Sequence, residues 1–201
     1  FGAPAREVRA RVTVMKGKLS GGTAASALAT LDAVAQDPAL ARLMADPFAL
    51  VEPSHPGLAR APQPDDDTAA FDDWAGAWTG PFIMAPINVK NVHRTNALRG
   101  RPWGDDFVYS ERQQTGTGAQ GEQRARSNAQ LARLQKLMLG LGVARSLVGR
   151  FVLPKPGEGP DREAREAGRF EVVLTGQTAS GGRLAARVRG DGDPGYGSTR
   201  R

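Results

Sequence analysis

The side chains best equipped for chemistry crowd into Pro81–Leu98, PFIMAPINVKNVHRTNAL. Asn88, Lys90, Asn91, His93, Arg94, Thr95 and Asn96 follow one another there, beside apolar Phe82, Met84, Ile87, Val92, Ala97 and Leu98. Amide and guanidinium donors next to an apolar anchor suit a helix that lines a cleft and grips a polar ligand. They also suit a half-buried helix whose polar side meets water, and composition alone favours that plainer reading. Pro86 sits inside the stretch, so the sequence predicts a bend there and a carbonyl left unpaired near Asn88 and Asn91.

Three further segments offer polar groups. Ser20-Gly21-Gly22-Thr23 opens a helix, where Ser20 or Thr23 can cap and the free backbone N–H groups can meet an anion or a carbonyl. A plain cap accounts for the same residues. Leu153–Pro160, LPKPGEGP, reads as a rigid loop that displays Lys155 and Glu158. Asp191–Gly197 is a turn-rich loop carrying Tyr196.

The elements that must position these groups follow from periodicity. Glu7–Lys16 alternates Val8, Ala10, Val12 and Val14 against Arg9, Arg11 and Thr13, a half-buried strand. Asp106–Gln113 is a second strand, with Phe107, Tyr109 and Glu111 on one face. Arg169–Ala179 and Arg183–Gly190 form a hairpin around Ser180-Gly181-Gly182, with Leu184, Ala186 and Val188 expected inward. Helices are expected from Ser20, from Asp37-Pro38, through Pro81–Leu98, over Glu122–Leu139 with Leu134 and Leu137 among its buried side chains, and after the cap Asp161. Residues 51–73, rich in proline and acidic groups, read as a surface loop in which His55 is exposed and uninvolved. The glycine-rich link Thr115–Gly121 lacks the lysine of a phosphate-cradling loop. The fold class expected is α+β: a mostly antiparallel or mixed sheet of about four or more strands with helices packed on one face.

Composition narrows the classes of function. The chain has 201 residues, 40% hydrophobic and 24% charged, enough for a real core. It has no cysteine, which removes disulfides, thiolate metal sites and a cysteine nucleophile and fits a reducing, cytoplasmic compartment. Two histidines far apart give little basis for a metal site. No apolar run approaches the roughly 20 residues of a membrane span, and no signal peptide is visible. The net charge of +6 is spread without a dense Lys/Arg block, so no nucleic-acid partner is expected. Such a basic surface equally suits a phosphorylated cofactor, an acidic carrier protein or peripheral contact with a lipid surface. The chain starts at Phe1 and stops at Thr199-Arg200-Arg201, and it reads as a piece of a longer protein.

Four segments together, SGGTAASAL at Ser20–Leu28, PFIMAPINVKNVHRTNAL, LPKPGEGP and GDGDPGYG at Gly190–Gly197, resemble the saccharopine dehydrogenase-like oxidoreductases, in particular their trans-acting enoyl reductase branch. The likeness runs from about Val8 to the end. It implies that residues 1–201 are the substrate-binding and dimerisation domain of a truncated two-domain enzyme, inactive alone. NADP(H) would be bound mainly by a Rossmann domain absent here, since the glycine-rich dinucleotide fingerprint is missing. No residue of this chain is therefore assigned to the cofactor, and none to a metal. The implied reaction is hydride transfer to an enoyl thioester on coenzyme A or a carrier protein, in a homodimer of lipid or polyketide metabolism. Catalytic candidates under that resemblance are His93, Arg94 and Tyr196. Substrate-binding candidates are Ser20, Gly21, Gly22, Thr23, Asn88, Asn91, Asn96 and Lys155. The competing expectation is a non-catalytic dimerisation or carrier-protein docking module.

Overall fold

Alternation and capping in the sequence give the strands and helices of a computed structural model that describes residues 4–18, 20–52 and 60–195. The elements are β1 (Ala5–Lys16), α1 (Gly21–Gln36), α2 (Pro38–Ala45), β2 (Ala70–Asp72), β3 (Ala77–Pro81), α3 (Ala85–Leu98), β4 (Val108–Gly116), α4 (Gly118–Gly140), α5 (Gly142–Phe151), α6 (Arg162–Glu166), β5 (Arg169–Thr178) and β6 (Arg183–Asp191). One mixed sheet runs β2-β3-β4-β1-β5-β6. The class is α+β. The four expected strands are present, and β2 and β3 extend the sheet beyond them.

The chain divides into two compact units. The first comprises the described residues of Phe1–Thr13, Met44–Ala129 and Val172–Val188; the second those of Val14–Leu43, Gln130–Glu171 and Arg189–Arg201. In the first unit β1 and β4 run parallel, with Val8 opposite Tyr109 and Ala10 opposite Glu111. β3 is antiparallel to both β2 and β4. Because side chains alternate along a strand, Val8, Ala10, Tyr109 and Glu111 share one face and Arg9, Arg11, Ser110 and Arg112 the other. The first face carries the core: Ala10, Phe107 and Tyr109 pack with Val89 and Val92 of α3, and Val12 packs with Phe82 and Ala85. Burying a side chain such as Val12 or Phe82 contributes about 1.5–3 kcal/mol.

The second face is a buried ionic layer. Arg11 pairs with Asp72, both within the interior, and Arg112 pairs with Asp66 at 3.1 Å. Arg9 reaches Asp72 and Asp73 and lies over the Trp74 ring at 3.8 Å. Burial favours neutral forms, yet the Arg11 guanidinium and the Trp74 N–H hold the Asp72 carboxyl below its usual range.

Two expectations about sides fail. β6 is exposed along most of its length, including Ala186 and Val188, because it is the outer strand of the sheet. In α4, Ala125 and Ala129 are buried as expected, whereas Leu134 and Leu137 are exposed.

In the second unit α1 packs on α5. A side chain on Gly149 would meet Leu28 at 2.8 Å, and Arg145 of α5 is ion-paired to Asp32 of α1 at 2.7 Å. Asp161 caps α6, accepting from the Ala164 N–H at 2.7 Å.

Candidate functional site

Helix α3 holds most of the expected polar row, and the helix splits it. Lys90, His93 and Asn96 fall at i, i+3 and i+6, so they share the inward side, and all three are buried. Lys90 Nζ donates to the carbonyls of Met44 and Pro86 at 2.8 and 2.9 Å. Asn96 donates from Nδ2 to the Gly104 carbonyl, and its Oδ1 accepts from the Trp103 N–H. Asn91, Arg94 and Thr95 lie on the exposed side, together with Ile87 and Leu98. Ile87 and Leu98 were expected to pack; in fact they flank the exposed polar groups. Arg94 Nη1 donates to the Leu50 carbonyl at 3.1 Å.

Pro86 does not bend this helix. α3 begins at Ala85, so Pro86 occupies its first turn, where a backbone N–H would have no partner in the helix anyway. The carbonyl that Pro86 would leave unpaired, that of Phe82, accepts from the Ala85 N–H at 3.0 Å.

His93 is 3% exposed and packs against Phe48, ring centroids 4.3 Å apart, and edge-on to Phe107. Its Nε2 is 3.1 Å from Gln63 Oε1. Burial and the nearby Arg60 charge depress its pKa to about 4, so the ring is neutral at neutral pH and donates from Nε2 to Gln63.

Gln63 is the residue that sequence reading passed over. Its Oε1 also accepts from the Tyr109 N–H at 3.1 Å, and its Nε2 donates to the Phe107 carbonyl at 3.2 Å. Two residues further along β4, Asp66 accepts from the Glu111 N–H at 3.0 Å. The acidic, proline-rich segment thus ties its side chains to the first half of β4, ahead of the point where β3 begins to pair. Its only hint in the sequence is a polar Gln and Asp placed among prolines. His55 lies outside the described residues.

Glu111 shares the core face with Tyr109, as the alternation predicts. It is buried, its Oε1 accepts from Asn88 Nδ2 at 3.1 Å, and its Oε2 has no partner among the described residues. Burial raises its pKa, the Asn88 bond opposes this, and Asp66 adds to it. Asn88 is therefore engaged beneath the helix by a carboxyl biased toward its protonated form.

On this same face opens an apolar cavity of about 490 Å³, within the range of small-molecule sites. Its walls include Val8, Val92, Trp103, Phe107, Tyr109 and Leu174. Asn96 fixes the wall from behind through its two bonds to the Trp103–Gly104 backbone. The Tyr109 side chain is buried in this wall. Burial and the neighbouring Glu111 raise its pKa, so it remains a neutral O–H donor.

The second unit brings Ser20–Thr23 and Lys155 together. Ser20 caps α1, its Oγ accepting from the Thr23 N–H at 3.1 Å, and the Gly21 N–H donates to the Glu158 carbonyl at 2.8 Å. The Lys155 loop lies so close over α1 that a Cβ on Gly21 would fall 1.6 Å from the Lys155 carbonyl oxygen. The Lys155 side chain is exposed, and its backbone N–H donates to Glu158 Oε2. Backbone of the chain itself therefore stands where the pyrophosphate of a dinucleotide would meet a helix start, and α1 does not fit that group.

The loop after β6 is fixed by Asp193, which is 1% exposed. Asp193 Oδ2 accepts from the Lys18 N–H at 3.1 Å, and the Asp193 N–H donates to the Arg165 carbonyl at 2.7 Å. Tyr196 lies outside the described residues.

No family model matches the chain, and no solved structure matches it. Named relatives do. The chain is 36% identical over 198 residues to a Mycobacterium tuberculosis protein named as a candidate trans-acting enoyl reductase, covering 94% of this chain and 46% of that protein. It is 32% identical over 178 residues to the trans-acting enoyl reductase of Mycobacterium ulcerans, covering 83% and 41%. It is 33% identical over 180 residues to that of Mycobacterium bovis BCG, covering 84% and 42%. The chain spans less than half the length of these relatives.

Proposed function

We propose that this chain is the substrate-side domain of an NADP(H)-dependent reductase of enoyl thioesters, acting as a homodimer on acyl groups carried by coenzyme A or a carrier protein. The names of the mycobacterial relatives support the reaction class, and the four segments that resemble saccharopine dehydrogenase-like enzymes support the division of labour. The observation that carries the reading is the apolar cavity on the sheet face under α3, with Trp103, Phe107 and Tyr109 in its walls. It is suited to shield the hydrocarbon body of an acyl group from water. The nucleotide is assigned mainly to residues outside this chain, since the α1 start does not accommodate a pyrophosphate.

Reduction of an enoyl thioester places negative charge on the thioester oxygen, and preorganised donors stabilise it. Asn91 and Arg94, on the exposed side of α3, are assigned that task. Asn88, His93 and Asn96 face inward and are positioning residues: they hold α3 against Glu111, Gln63 and the Trp103 backbone. A buried, neutral His93 is a poor proton donor, so Tyr196 is left as the acid among the candidates named from the sequence.

The test uses the parent protein that contains this chain. Arg94→Ala and Asn91→Ala are each expected to lower NADPH oxidation with an enoyl-coenzyme A substrate about 10²-fold, the usual effect of losing one such donor. Thermal stability should be unchanged, because both side chains are exposed. Matched losses of activity and stability would make them structural. A parent that oxidises no NADPH with any enoyl thioester would sink the reading and leave the docking-module alternative.

A further inference from the structure

The second unit carries a surface that the proposed reduction does not use. The C-terminal half of α4 and the outer side of α5 expose large apolar side chains. Leu137 keeps 63% of its surface and Phe151 72%, and Leu134, Leu141 and Leu147 are also more than half exposed. Leu134, Leu137 and Leu141 recur at i, i+3 and i+7 along α4 and into the turn that follows it, while Val143, Leu147 and Phe151 recur every four residues on α5. These are continuous stripes rather than scattered residues. The inner side of α5 is already spent on α1 through Arg145 and Gly149.

The charges within the stretch that carries these stripes have one sign. Between Glu122 and Glu158 the sequence contains no Asp or Glu, while Arg133, Lys136, Arg150 and Lys155 are all exposed. Arg150 sits over the Phe151 ring at 5.5 Å, so a cation and an exposed aromatic share one spot. Among the described residues no helix is long and apolar enough to cross a membrane. Apolar stripes on a stretch that carries cations and no carboxylate of its own match a bilayer interface, where the stripes enter the acyl boundary and the cations meet lipid phosphates. A second copy of this face would bring its own cations against them, which disfavours self-association.

We infer that the α4–α5 face is a peripheral docking surface for an anionic phospholipid bilayer. The inference stands independently of the reductase reading, because it concerns other residues and a different readout.

The experiment is vesicle flotation of the purified chain. Phosphatidylcholine vesicles containing phosphatidylglycerol are compared with phosphatidylcholine alone, at low and high salt. The expected result is binding at least about tenfold stronger to the anionic vesicles, weakening as salt screens the cations. Phe151→Glu and Leu137→Glu should each abolish it, and Arg133→Glu with Arg150→Glu should remove the preference for anionic lipid. All four positions are exposed, so circular dichroism melts should be unchanged.

Three results would overturn the inference: equal binding to both vesicle types, binding unaffected by the variants, or no binding. Two others would assign the face to a different occupant. A dimer in sedimentation that Phe151→Glu converts to monomer would assign it to a second copy. Loss of vesicle binding in the parent protein, with binding retained by this chain, would assign it to another part of the parent.

Discussion

The carbonyl oxygen of Lys155 stands 1.6 Å from the point that a Cβ on Gly21 would occupy. Two segments more than a hundred residues apart thus meet backbone to backbone, and the contact is sealed by the Gly21 N–H to Glu158 carbonyl bond. The first glycine of Ser-Gly-Gly-Thr is required by this close approach, whether or not a ligand is ever bound there. Gly21→Ala should push the Lys155 loop off α1 and cost about 1–3 kcal/mol or more, as overpacking at a rigid contact does. Gly22→Ala, which meets nothing closer than Ser20 Oγ at 3.9 Å, should cost far less. Urea unfolding of the two variants side by side measures the difference.

Gln63 serves four partners with one side chain: the Ala61 and Phe107 carbonyls, the Tyr109 N–H and His93. Truncation to alanine leaves the Tyr109 N–H and Phe107 carbonyl without their partner and His93 without its bond. Each buried orphan costs about 1–3 kcal/mol. Gln63→Ala should therefore rank among the most destabilising single changes in the 60–69 segment. Hydrogen exchange at the Tyr109 amide should accelerate more than exchange at Ala10, which lies elsewhere in the sheet.

His93 gives the fold a pH dependence of predictable sign. Its pKa is 6.5 when unfolded and about 4 when folded. Between these values unfolded chains take up a proton that folded ones refuse. Its contribution is therefore complete above pH 6.5, declines as pH falls toward 4, and levels off below. The total is on the order of 3 kcal/mol. Urea midpoints measured across that range should fall with pH in the wild type and fall less in His93→Gln. Parallel slopes in the two proteins would refute the assignment.

Arg11 and Asp72 form a pair inside the sheet's polar layer. Arg11→Met strands the Asp72 carboxylate and should cost about 3–5 kcal/mol. Asp72 retains a partner in Arg9, so the loss should fall toward the lower figure. Arg11→Met combined with Asp72→Leu should recover part of it, and a double-mutant cycle on chemical unfolding would measure the coupling.

Periodicity made β1 legible, because Val8, Ala10 and Val12 alternate strictly with arginines. Asp161 announced its helix by cap chemistry. β2 and β3, three and five residues long, are too short for alternation to show. The sides of α3 escape the local pattern for a different reason. Lys90, His93 and Asn96 look like surface residues, and they go inward because backbone carbonyls and Gln63 from distant segments satisfy them. Ile87 and Leu98 then fall outside. Which distant groups arrive to pair a polar side chain is a tertiary fact, and no local pattern carries it. The cavity was hidden likewise: Val8, Val92, Trp103 and Leu174 come from four separate elements or loops.

Along its first half, β4 pairs with β1 on one side, and on the other the side chains of Gln63 and Asp66 bond its backbone. An open strand margin is a template on which foreign chains add strands and aggregates grow. Here the amides of Tyr109 and Glu111 and the carbonyl of Phe107 are already occupied, by groups that cannot propagate a ladder. The segment beside β4 thus works as a stopper on the sheet. A chain deleted of residues 61–67 should be more prone to β-type aggregation even under conditions where the remaining fold survives.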